Sequence, residues 1–378
     1  MCKTNANIHT HANGLDSLRG AAAVIVCCHH YSNGLFGTLS PDNIFVKIFS
    51  FLLCDRSAVI LFFVLSGYVL SLSLMKNKQS YLQFLCKRVF RILPAYWICM
   101  IFVTVLVSLS SNDILFRAFP NEIIHNLNFE YYINAISLVS NLIWPQSMTS
   151  AHSVGNPFDS SSWSLVYEMI ISACFPILFV LITKQTKCSS LISIAYIIIF
   201  YNYSNQYTAI LYYSCFFSMG ALIAHYEKKF PIKRISGFIV VIAMLFFMSP
   251  NIRNLFPTLK FIRLEFLDLI AGFSSIALIL SAKYNYQMKK VLELNILKFY
   301  GNISYSFYLF HIPCSFMIVY IFFNMQINTT TLETKVLIKI LAFIFSTIIS
   351  WCIYNYVEKK FIVQGKNLCD KLDSRNKL

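Results

Sequence analysis

Charge is scarce in this sequence. Only 12% of its 378 residues are Asp, Glu, Lys or Arg, about half the roughly 25% of an ordinary soluble domain. That excludes a soluble fold of this size, whose surface needs far more polar cover. Residues that are 57% hydrophobic, with a mean hydropathy of +0.62, must face lipid instead. Acidic residues are scarcest, 16 against 31 basic ones, for a formal net charge of +15. Such a balance would also suit nucleic acid. The basic residues, however, cluster between apolar runs, as the positive-inside rule expects of a membrane protein, so no nucleic-acid partner is read.

CxxC pairs are missing from the twelve cysteines. Most cysteines, among them Cys27, Cys28, Cys99, Cys174, Cys215 and Cys352, lie inside apolar runs. They read as small buried apolar residues, and neither a disulfide framework nor a metal site is expected. Residues 1–14 lack the apolar core of a cleaved signal peptide, and His9 and His11 within them read as solvated. No internal repeat marks an inverted-repeat transporter.

Long apolar runs are what the chain does have. A spanning helix needs about 20 apolar residues. Ten such runs are read, near 18–36, 57–75, 93–111, 161–182, 189–204, 208–225, 236–250, 262–282, 303–323 and 336–357. The fold class is therefore all-α, a polytopic membrane protein. The fifth and seventh runs are short enough to be broken or re-entrant. The N-terminal tail, the segments 76–91, 183–188, 226–234 and 283–298, and the C-terminal tail together hold 23 of the 31 basic residues. This puts both termini in the cytoplasm and makes the helix count even. The segment 112–160 then lies outside, and its apolar stretch 133–143 is too short to span. The organisation expected is a tail over 1–14, a membrane domain over 15–361 and a tail over 362–378, with no further soluble domain.

Ionisable residues inside spans are costly and are functional candidates by default. The first run reads LDSLRGAAAVIVCCHHYSNG. Arg19 and His30 are eleven residues apart, about three turns, so they share a face at roughly 16 Å separation. His29 lies about 80° off that face. Arg19 belongs at the cytoplasmic mouth and His30 beyond the midplane. The structural alternative is a snorkelling arginine plus a hydrogen-bonded core histidine. The small residues Gly20 to Ala23 admit close approach of another helix or a ligand. Ser66 and Gly67 in FFVLSGY read as helix packing. Residues 87–97, KRVFRILPAYW, read as a loop in which Arg88 and Arg91, three apart, suit bidentate phosphate binding beside Lys87. They would serve equally as a positive-inside anchor.

Two further segments carry candidates. Glu168, in SSWSLVYE, lies roughly 10 Å inside its run and needs a partner or a proton. In GNISYSFYLFHIP, Ser304, Tyr305, Tyr308 and His311 recur at helical spacing, with Pro313 as a kink. Each site has a purely structural alternative, a salt bridge for Glu168 and an aromatic belt for the tyrosines. Taken together they form a polar track. Its span from Arg19 to His30 is roughly the length of an extended pantetheine arm.

These motifs, in this order, make the chain resemble the membrane-bound acyltransferase family 3, which includes bacterial O-antigen, exopolysaccharide and Nod-factor O-acetyltransferases. Arg19 with His30 is similar to the family's R-x10-H motif, and Arg88-Val-Phe-Arg91 to its RxxR motif. FFVLSGY, SSWSLVYE, ISYSFYLFHIP and YNYVEKKF resemble its later signatures. Ser17 stands where the family often has Gly, and Lys359-Lys360 where it often has Arg-Pro. The SGNH-type domain that some members carry is not seen after the last run. The resemblance implies a multi-pass protein of the bacterial inner membrane that transfers an acyl group, most commonly acetyl, from acyl-CoA to a sugar hydroxyl. The acceptor would be a surface or lipid-linked glycan. His30 would be the base or a transient acyl carrier. Arg19, Arg88 and Arg91 would hold the CoA phosphates, and Glu168 would orient or ionise His30, or contact the sugar. Trp163, Ser164, Tyr305, Tyr308 and His311 would line the acceptor side. Two other classes stay open on the residues alone: a transporter or flippase for a glycan or small anion, and a non-catalytic assembly scaffold.

Overall fold

Helix is what these apolar runs must form, because lipid offers no partner to a free backbone N–H or C=O. A computed structural model describes residues 2–33, 44–76, 80–109, 163–183, 209–230, 232–329 and 331–375, and among these no strand occurs. The helices are α1 (Cys2–Asn33), α2 (Ile44–Leu52), α3 (Asp55–Lys76), α4 (Tyr81–Leu109), α5 (Trp163–Thr183), α6 (Ala209–Lys229), α7 (Gly237–Phe247), α8 (Leu264–Tyr284), α9 (Tyr286–Leu292), α10 (Asn295–Asn324), α11 (Leu332–Ile353) and α12 (Lys359–Arg375). Six helical stretches among the described residues are long and apolar enough to cross a membrane. A seventh would be the pair Gly237–Phe247 and Ser249–Leu255, bent by 42°, at the run 236–250 that was short enough to be broken or re-entrant. The described residues thus form a helical structure with six or more long apolar helices, compatible with a multi-pass membrane protein. The expected run 189–204 and the whole outer segment 112–160, with its stretch 133–143, lie outside the described residues.

Three boundaries differ from the sequence reading. First, α1 extends back to Cys2 where a tail was expected, since lengthening an existing helix avoids the unfavourable nucleation step. Second, residues 87–97 are helical within α4, not a loop. Ser80 and Gln83 start that helix reciprocally: the Ser80 N–H donates to Gln83 Oε1 at 2.9 Å and the Gln83 N–H to Ser80 Oγ at 3.3 Å. This is a capping box. Third, α11 does not stop near 357. It passes through a π turn at Tyr354–Glu358 into α12. Gly365 then packs against the Phe90 ring, and Gln83 Nε2 donates to the Cys369 carbonyl at 3.3 Å.

Two compact units divide the chain. The first holds α1, α2, α3, α5 from Ile170, α6 to α9 and α10 as far as Ser304. Its packing runs through glycines. A Cβ on Gly67 of α3 would stand 2.1 Å from the Phe217 carbonyl oxygen of α6, and one on Gly220 of α6 2.0 Å from the Val64 carbonyl oxygen. Backbones this close exclude any side chain, which is how helices associate in lipid. In the same unit a Cβ on Gly20 of α1 would stand 2.3 Å from the Gly301 nitrogen of α10, so α10 is the helix that the small residues of α1 admit. Overpacking typically costs about 1–3 kcal/mol, occasionally more. Gly67→Ala and Gly220→Ala are therefore each expected to lower the thermal unfolding midpoint in detergent by several degrees. Gly14→Ala, with only an ordinary 3.5 Å contact to the Ala282 carbonyl, should leave it nearly unchanged. The second unit holds α4, α5 up to Met169, α10 from Tyr305, α11 and α12. Its core includes Tyr96, Phe307 and Phe310, all nearly fully buried.

Candidate active site

In the first unit α1 carries both residues of the expected pair. Arg19 is largely buried, and its Nη1 donates to Asp16 Oδ1 at 3.2 Å, one turn back. The Gly20–Gly301 crossing fixes the backbone at that level. His30 lies further along α1, half-buried, with Asp55 and His29 as its electrostatic neighbours. The His29 and His30 rings meet edge to face, 6.0 Å between centroids and 89° between planes. His29 Nδ1 is 2.7 Å from the Leu53 carbonyl oxygen, and Nε2 is 3.4 Å from Asp55 Oδ1. The carboxylate next to the histidines is therefore Asp55, the first residue of α3.

Beside Asp55 in sequence, Arg56 makes a two-pronged ion pair with Asp268 of α8. Nε to Oδ1 and Nη2 to Oδ2 are both 2.6 Å. Tyr212 of α6 donates its hydroxyl to the same carboxylate. A second network joins Glu227 of α6 to Lys283 of α8 at 2.5 Å, to Tyr68 of α3 at 2.5 Å and to Tyr284. Both networks hold carboxylates that lipid could not solvate, and each draws donors from separate helices.

In the second unit the two arginines of α4 each face a carboxylate. Arg88 Nη1 is 3.9 Å from Glu168 Oε1 of α5. Arg91 acts electrostatically on Glu358, a buried residue of the π turn that accepts a hydrogen bond from Ser306. Short π turns recur at functional sites. Tyr305 donates to the Ile92 carbonyl at 2.7 Å. Ser164 Oγ and Tyr308 Oη are 2.8 Å apart, and His311, fully buried, has Nδ1 2.8 Å from the Tyr308 carbonyl oxygen. A carbonyl only accepts, so Nδ1 carries a proton. The Trp163 ring packs edge to face on Tyr167 at 5.9 Å. Arg88, Arg91, Glu168, Trp163, Ser164, Tyr305, Tyr308 and His311 thus belong to the second unit, Arg19 and His30 to the first.

Residues 12–355 match the acyltransferase domain family. The protein belongs to that family. The acyltransferase is also 28% identical, over 160 residues, to the O-acetyl transferase of Shigella phage Sf6. That alignment covers 42% of this chain and 43% of the phage protein, so the chain spans less than half the length of that curated relative. No solved structure matches.

The sequence reading passed over four acids of this acyltransferase: Asp55, Asp268, Glu227 and Glu358. A signal was available for two of them. Asp268 stands in the apolar run LEFLDLIAGF, and the rule that singled out Glu168 applies to it equally. Glu358 stands in YNYVEKKF, a segment that already carried the resemblance. Asp55 gave no such signal, since an acid before an apolar run is the ordinary start of a helix.

Proposed function

We propose that this acyltransferase moves an acetyl group from acetyl-CoA to a sugar hydroxyl of a cell-surface or lipid-linked glycan, such as an O-antigen or exopolysaccharide, at the bacterial inner membrane. The observation that carries this reading is the family match over 12–355 together with the O-acetyl transferase likeness. His30 takes the proton of the acceptor hydroxyl, or carries the acetyl group in transit. Arg19, Arg88 and Arg91 hold the phosphates of the donor. Glu168 keeps Arg88 aligned, and Trp163, Ser164, Tyr305, Tyr308 and His311 serve the acceptor. Support for the arginine roles comes from the partial or full burial of Arg19 and Arg88, each with one carboxylate nearby, and from the suitability of guanidinium groups for phosphate.

The test uses membranes with and without the protein, incubated with acetyl-CoA labelled in the acetyl group. Label bound covalently to saccharide, and confirmed by mass spectrometry of the surface polysaccharide, is the expected result. Glycan that moves across the membrane without taking up label would instead be a transporter's work, and would end this reading. For the donor site, Arg88→Ala combined with Arg91→Ala should raise the Kd for acetyl-CoA at least about tenfold, since a hydrogen bond to a charged group contributes roughly 1.5–3 kcal/mol. Titration in detergent, with the unfolding midpoint measured on the same samples, checks it. Unchanged affinity in folded protein removes both arginines from the donor site.

A further inference from the structure

His29 is placed between two acceptors. Its Nδ1 lies 2.7 Å from the Leu53 carbonyl oxygen and its Nε2 lies 3.4 Å from Asp55 Oδ1. A carbonyl cannot donate, so Nδ1 must carry a proton. A neutral ring would then point the bare lone pair of Nε2 at a carboxylate, two acceptors facing each other. A second proton held between Nε2 and Oδ1 removes that conflict. The ring and the carboxylate are 19% and 30% exposed, so each keeps some hydration as an ion pair. The contact length of 3.4 Å is that of an ion pair and exceeds an ordinary hydrogen bond.

From this we infer that His29 and Asp55 form a charged positioning pair for His30. The inference rests on the reading of His30 as the reacting histidine. His29 is pinned at both nitrogens, to the segment before α3 and to the first residue of α3. Its ring plane is therefore fixed. The edge-to-face contact hands that orientation to His30. Arg56 is committed to Asp268, and Cys54 Sγ donates to Ser57 Oγ at 3.2 Å. Asp55 and His29 touch no donor or acceptor substrate in this scheme. They are positioning residues, and His30 keeps the chemistry.

The full-length protein, labelled with ¹⁵N at histidine in detergent, gives the test a readout that needs no activity. His29→Gln assigns the His29 ring signals by their loss. At pH 7 both ring nitrogens of His29 are expected to carry protons. In Asp55→Asn the carboxamide donates to Nε2 instead, and His29 is expected to hold a single proton. A His29 ring that is singly protonated in the native protein, or unchanged by Asp55→Asn, overturns the pair. Kinetics supply the second arm. Asp55→Asn should lower kcat for acetyl transfer about tenfold or more while the KM for acetyl-CoA stays within twofold, and Asp55→Glu should recover part of the loss. Equal changes in kcat and KM, or full activity in Asp55→Asn, count against a positioning role. If the native protein transfers no acetyl group, the functional reading fails, and the spectra still decide whether the pair exists.

Discussion

Protein carrying Asp268→Ala is expected to lose stability, by less than the about 3–5 kcal/mol of a fully buried ion pair broken from one side because the Arg56 side chain is 37% exposed, and to accumulate poorly in membranes. Asp268 is 1% exposed and accepts from Arg56 through both oxygens and from Tyr212. Truncating the carboxylate removes both acceptors of the Arg56 ion pair and leaves the buried Tyr212 hydroxyl without its acceptor. Asp268→Asn should lose less, because the carboxamide oxygen still accepts one of the three bonds. The informative variant is the double one. Arg56→Met with Asp268→Leu removes both charges and fills similar volume, and replacements of this kind are often neutral. Its unfolding midpoint in detergent should therefore stand well above that of Asp268→Ala. A double variant as unstable as the single one would mean that volume and shape at this crossing, not charge pairing, set the stability.

Spans were legible in the sequence because the bilayer imposes a single rule, about 20 apolar residues in a row. The runs at 57–75, 161–182, 208–225 and 262–282 fall within a few residues of α3, α5, α6 and α8. Helix that lies outside the apolar run carries no such rule. The stretch of α4 over 87–97 reads as a polar loop by hydropathy, and only the Ser80–Gln83 box marks it as helix. The same holds for α12, whose charge conceals a helix continuous with α11 through a π turn. At the candidate site the residue types that stand out in lipid, Arg19, His30 and Glu168, were readable one at a time. Their partners were not. That Asp55 faces His29, or that Arg56 reaches Asp268 212 residues away, is a product of helix packing, and periodicity within one helix contains no information on it. Even the 80° separation of His29 from the Arg19–His30 face, which seemed to set His29 aside, is what directs it toward Asp55.

His30→Ala is expected to lower acetyl transfer by about 10²–10⁴-fold, the range supplied by a positioned general acid–base group. Because the arginines are assigned to the donor, KM for acetyl-CoA should change little, and the loss should fall on kcat. His30→Gln should be nearly as inactive, since a carboxamide keeps a hydrogen bond but cannot take a proton at neutral pH. Transfer that persists in folded His30→Ala protein would remove His30 from the chemistry and pass the role to another group. The native protein can then separate the two roles still open to His30. As an acyl carrier, the imidazole nitrogen attacks the thioester carbonyl, the C–S bond breaks and the thiolate leaves to take up a proton, all before any sugar binds. Rapid mixing with acetyl-CoA alone would then release about one CoA per protein and leave the protein heavier by one acetyl group. As a general base, His30 acts only when the hydroxyl is present, so CoA release without acceptor should be confined to slow hydrolysis. We take His30 as the base, because its ring stands edge to face against the doubly held ring of His29 and so keeps one orientation toward an incoming hydroxyl. A stoichiometric burst of CoA in the absence of acceptor, lost in His30→Ala, would reverse the assignment.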